Sequence, residues 1–101
     1  MSQPVYSAPI ILSTPVKRGE SAITEITLRK PAAGELRGLK LTDLLNGDVS
    51  ATIRLVPRIS QPTLTEQEVA AMDIADLYDC ADEVAGFLNS KRVKALESHE
   101  A

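Results

Sequence analysis

The stretch DIADLYDCADEVAGFL, residues 73–88, carries the reading on which the rest of the chain depends. Ile74, Leu77, Ala81, Val84 and Leu88 recur at steps of three and four, with Ala85 widening the stripe, so they share one face of an α-helix. That face requires a partner to bury it. The opposite face carries Asp73, Asp76, Asp79, Asp82 and Glu83, and no Lys or Arg lies between Thr63 and Leu88 to neutralise them. A helix apolar on one side and anionic on the other is expected.

Its start is written locally. Asp73 has the place of an N-cap with Asp76 at N3, and Met72 and Leu77 stand at the two positions of a hydrophobic staple. Just upstream, Thr65 and Glu68 have capping-box spacing, and Leu64 and Val69 that of its staple. Two nested starts predict a short helix bending into a longer one.

Working toward the N-terminus, Asp48 is placed to cap a helix in which Val49, Ile53 and Val56 share a face. Residues 49–56 make two turns, which Pro57 disfavours continuing because it lacks an N–H. Residues 35–45 hold Leu36, Leu39, Leu41, Leu44 and Leu45, dense enough for a short buried helix or an irregular packed segment. Gly38 weakens the first reading, and both stay open. Before them, residues 9–14 and 22–29 read as two strands, β-branched and alternating, joined by a turn at Lys17-Arg18-Gly19-Glu20. Pro9 and Pro15 bracket the first strand and argue for an edge position. Thr24, Ile26 and Leu28 face one way along the second.

The expected fold is therefore α+β: an N-terminal β-hairpin followed by three or four short helices, the longest near 73–88. Residues 1–8 read as a flexible arm, 9–90 as one domain, and 91–101 as a frayed tail. At 101 residues and 44% hydrophobic, the chain is long enough for one modest core. A hairpin with open strand edges and few elements to cover it also predicts a homo-oligomer.

Composition and charge exclude several functions. Aromatics are 3% and Trp is absent, leaving little to stack on bases or sugars. Residues 1–62 carry net charge +3 and residues 63–88 net −7, so the helical pair that might suggest helix-turn-helix DNA reading repels phosphate. No run approaches the roughly 18 apolar residues of a membrane span. The lone Cys80 cannot form an internal disulfide, no signal peptide opens the chain, and a reducing cytoplasm is the expected compartment. Cys80 reads as a packing residue and His99 as a solvated one, so no nucleophile and base come together and no enzyme is expected. Nucleotide-binding glycine patterns and paired Cys/His spacings are missing, and Asp76, Asp79 and Glu83 are splayed along a convex helix rather than wrapped around a cation; no cofactor or metal is expected.

One further pattern spans most of the domain. The run Leu28-Arg29-Lys30-Pro31-Ala32-Ala33-Gly34-Glu35-Leu36-Arg37-Gly38-Leu39, then Leu44, Ile53 and Pro57-Arg58-Ile59, then Leu64-Thr65, Met72 to Leu77 and Phe87-Leu88, resembles the tail assembly chaperones of contractile-tailed, Mu-like bacteriophages. Order and spacing over residues 9–90 carry the resemblance, and Met72 stands where leucine is expected. It implies a non-enzymatic protein of the host bacterial cytoplasm, absent from the mature virion, that binds the phage tape-measure protein and keeps it soluble during tail tube formation. It also implies a −1 ribosomal slip near the end of the gene, for which Phe87-Leu88 could supply TTT-TTG codons, giving a longer form able to recruit tail tube subunits. The residues expected to meet a partner are Arg29, Arg37, Asp76, Asp79 and Glu83. A structural tail component and a small acidic protein-binding regulator are the competing readings.

Overall fold

A computed structural model describes residues 5–100, with side chains through Asn89. Residues 1–4 of the expected arm, residue 101, and the side chain of His99 lie outside the described parts.

Strands β1 (Ile10–Arg18) and β2 (Ser21–Leu28) form the hairpin, with Arg18 opposite Ser21 across the turn. Gly19 has φ +59°, the left-handed conformation a tight turn of this kind needs. Beyond β2, a 3-10 turn (Ala33–Leu36) leads to helices α1 (Leu41–Leu45) and α2 (Val49–Ile59), a two-residue strand β3 (Ser60–Gln61), and helices α3 (Glu66–Ala70) and α4 (Ile74–Glu100). The sheet order is β1-β2-β3, all neighbours antiparallel, so β1 is an edge as expected. The architecture is α+β.

The helices cover one face of the sheet. Ile10 and Leu12 of β1 and Ile26 and Leu28 of β2 alternate into a core completed by Leu44, Leu55, Val56, Ile59, Leu64, Val69, Cys80 and Val84. Ile11, between the two buried residues of β1, is 67% exposed on the other face.

The nested helix starts are both present. Thr65 accepts from the Glu68 N–H at 3.1 Å while the Glu68 carboxylate accepts from the Thr65 N–H at 2.9 Å, and the Asp73 carboxylate accepts from the Ala75 N–H at 2.8 Å. Asp48 caps α2 by accepting from the Ala51 N–H at 2.9 Å.

Several boundaries differ from expectation. β1 runs through Pro15 to Arg18, because a register shift between Ile11 and Val16 places the proline where no ladder donor is required. α2 continues past Pro57 to Ile59. A proline in the last turn removes a single N–H, and Ile59, 2% exposed, gains a place in the core. The buried face of α2 is Ala51, Thr52, Leu55, Val56 and Ile59, whereas Val49 is 57% exposed. Strand β3 is too short for a periodic signal and exists because β2 offers a second edge, pairing Leu28 with Ser60. The described part of the arm is docked: the Ser7 N–H donates to the Leu28 carbonyl at 2.7 Å and the Lys30 N–H to the Val5 carbonyl at 2.7 Å. Residues 35–45 resolve into the end of the 3-10 turn, a loop with Gly38 at φ +82°, and the short α1. At the other end of the chain, α4 extends to Glu100, through the segment read as a tail.

Candidate functional site

The first turns of α4 separate two apolar edges that the sequence pattern merges. Asp76, Cys80 and Val84, four residues apart, are the buried line, flanked by Leu77, Phe87 and Leu88 packed on the core. Ile74, expected in that stripe, is 84% exposed, and Tyr78 is 69% exposed. The apolar sector of α4 is thus wider than the core beneath it. Its outer half faces a groove of about 430 Å³.

One wall of the groove is α4, through Ile74, Leu77, Tyr78, Ala81, Asp82 and Ala85. The other is the α1–α2 corner, through Leu45, Asn46, Gly47, Val49 and Thr52. The corner is tightly specified. Gly47 has φ +73°; its N–H donates to the Leu44 carbonyl at 3.2 Å, and the Asp48 N–H to the Asp43 carbonyl at 2.8 Å, the paired bonds of a Schellman helix end. A Cβ on Gly47 would stand 3.9 Å from that of Ala81, so the corner passes close against α4 and closes the groove floor. Asp48 then starts α2 at once, which sets Leu45 and Val49, 45% and 57% exposed, on the same rim. The lining is apolar apart from Asn46, Thr52 and Asp82. Such a surface can take up an apolar partner, and nothing in it is arranged for bond chemistry.

The residues expected to meet a partner fall in three places. Arg29 is engaged at the 3-10 turn, its Nη1 donating to Glu35 Oε1 at 2.7 Å with a second parallel bond from Nη2. That bond, with the Ala32 N–H, holds the Glu35 carboxyl down at about 2. Arg37 is exposed, and its carbonyl accepts from Arg58 Nη1 at 3.1 Å, tying the same turn to α2. Asp79 is exposed and Glu83 half-buried on α4. Asp76 is a correction: placed by helical period on the outer acidic face, it is fully buried, because its carboxylate supplies acceptors to the Ser13 and Thr14 N–H groups of β1. Helical spacing alone could not register this, since the donors lie more than sixty residues away.

Sequence reasoning did not single out the groove. Its one available signal was surplus: Leu41, Leu45, Val49, Ile74 and Tyr78 exceed what a core of this size covers, and all five are exposed. Among the described residues no helix is long and apolar enough to cross a membrane. Beneath the acidic surface of α4, burial pushes the Cys80 thiol up to about 12, reinforced by the charges of Asp76, Asp79 and Glu83.

A family model described as phage tail assembly chaperone proteins, E, or 41 or 14, matches residues 9–89. Among curated proteins, the chain is 49% identical over 85 residues to tail assembly protein E of Escherichia phage P2, covering 84% of this chain and 93% of the relative. It is 52% identical over 79 residues to tail assembly protein E' of the same phage, covering 78% of this chain but 56% of that relative, which is therefore the longer protein. No solved structure matches it.

Proposed function

Because this chain belongs to the phage tail assembly chaperone family, we propose that it binds the tape-measure protein of its phage and keeps that protein soluble and assembly-competent while the tail tube forms. The observation that carries the reading is the groove beside α4, where Ile74, Tyr78, Leu45 and Val49 expose apolar surface next to the core. A tape-measure protein is long and helical and exposes apolar surface until the tube encloses it, so its partner requires accessible apolar surface with a polar rim. Asp82 supplies a charged position in the groove lining; Arg29, Arg37, Asp79 and Glu83 lie outside it and are proposed as further contacts to the partner.

The protein acts by binding rather than catalysis, in the host bacterial cytoplasm, and is absent from finished particles. Match to a relative of which this chain covers 56% supports a second, longer product built on the same domain. Phe87 and Leu88 lie within α4 after Val84, the last fully buried residue among those described, so an extension begun there by a −1 slip would keep the core and continue the helix outward toward tube subunits.

Co-expression with the tape-measure gene of the same phage tests the reading. Tape-measure protein should shift from the pellet to the soluble fraction and be recovered with this chain; recovery of the chain as a stoichiometric component of purified particles would instead make it a structural subunit. Sequencing codons 87 and 88 tests the longer form: TTT-TTG followed by an open −1 frame is expected, and TTC-CTG or an immediate −1 stop excludes it.

A further inference from the structure

We infer that the groove takes an amphipathic helix of about three turns whose buried ridge is apolar and whose outer edge, lying over Asp82 and Asp79, carries Lys or Arg. The inference rests on the proposed function for the identity of the chain that brings the helix. It adds the conformation, length and charge of the segment recognised.

Length follows from the wall. The α4 side runs from Ile74 to Ala85, about 16 Å at 1.5 Å per residue, the rise of three helical turns.

Conformation follows from the backbone. Both walls are helical, and at the corner between them the Leu44 and Asp43 carbonyls and the Ala51 N–H are already bonded. The groove thus presents no row of backbone donors and acceptors to an incoming strand, which would bury its own peptide groups without partners. A helix brings those bonds already made and needs only side-chain contact from Ile74, Leu77, Tyr78, Leu45 and Val49.

Charge fixes the edge. Asp82 is the acidic side chain in the lining, on the line of Ile74 and Tyr78, and Asp79 stands nearly one turn earlier on the exposed side. The basic residue of α2 nearest in sequence to Val49, Arg54, is directed elsewhere: its Nη2 lies 3.4 Å from where a Cβ on Gly38 would be. A Lys or Arg edge is therefore steered in and an acidic one repelled. The same rule disfavours α4 of a second copy as occupant, since it would set Asp79 and Asp82 of both copies against one another.

The test uses the full chain and two fluorescent helical peptides about 14 residues long, with Leu at i, i+3, i+4 and i+7 and an outer edge of Lys in one and Glu in the other. The Lys-edged peptide should bind at least roughly tenfold more tightly at low salt. Asp82→Lys should reverse that preference. Ile74→Asp, at an exposed position, should abolish binding of both peptides at unchanged melting temperature. Equal binding of the two peptides, or binding that survives Ile74→Asp, overturns the inference. So does sedimentation in which Ile74→Asp turns a dimer into a monomer while neither peptide binds, which assigns the groove to a second copy. If tape-measure protein stays soluble with Ile74→Asp as with wild type, the proposed function stands and the groove is not its seat. If the Lys-edged peptide binds as expected but wild-type protein leaves tape-measure protein insoluble, the groove is as described and the proposed partner is wrong.

Discussion

Asp76 of α4 grips Ser13 of β1: the Ser13 N–H donates to Oδ1 at 2.8 Å and to Oδ2 at 2.9 Å, with the Thr14 N–H 3.2 Å from Oδ2. These donors fall where the β1–β2 register shifts, so the helix supplies acceptors along an edge that the hairpin leaves irregular. Asp76→Asn keeps the volume but turns one acceptor into a donor facing N–H groups. A loss of about 2–3 kcal/mol is expected in urea unfolding, and a change under 0.5 kcal/mol would remove the contact from any stabilising role.

Val84 lies two turns along the same buried line and is 1% exposed. Val84→Asp puts an unpaired carboxylate into the apolar core at a cost of several kcal/mol. The variant should be largely unfolded by circular dichroism at room temperature. An unchanged melting temperature would take this part of α4 out of the core.

On the groove side the opposite holds. Tyr78 is 69% exposed, so Tyr78→Ala should move stability by no more than about 0.5 kcal/mol. Equilibrium denaturation distinguishes this from a packing role, for which a loss of about 3 kcal/mol or more is the usual consequence of deleting a buried aromatic.

Cys80 is fully buried and its thiol is held up at about 12, so almost none of it is thiolate at mildly alkaline pH. Its reaction with a disulfide reagent should be roughly a hundredfold or more slower than in urea, where burial is lost. Fast stoichiometric labelling of the folded protein would contradict the packing described.

Two carboxyls give the protein an acid limb. Glu35, bonded by Arg29 and the Ala32 N–H, and Glu68, bonded by Arg18 and the Thr65 N–H, both ionise at about 2 against an ordinary 4.5. Between those values the unfolded chain takes up protons that the folded chain does not. Their stabilisation is fully present above about pH 4.5 and is lost as pH falls toward 2. Urea midpoints measured across that window should fall with pH, and the fall should be shallower in Glu35→Gln and Glu68→Gln.

Much of the fold was legible because its signals are local. A glycine turn, alternating β-branched residues and side-chain caps at Asp48, Thr65 and Asp73 act within a few residues of themselves, and each appears where the sequence places it. The order and spacing of segments over residues 9–90 were enough to indicate the family. What periodicity could not decide is which part of an apolar sector finds a neighbour. Ile74 and Val84 belong to one apolar stripe on a helical wheel, at its two edges, yet one is 84% exposed and the other 1%, because the core lies against only one of those edges. Asp76 is the converse, a charged residue buried by two N–H groups more than sixty positions away. Strand β3 and the continuation of α2 past Pro57 have the same origin, β2's second edge and a core site for Ile59. Local structure follows from neighbours in the chain; which surface stays open to a partner follows from neighbours in space, and only the packed structure assigns those.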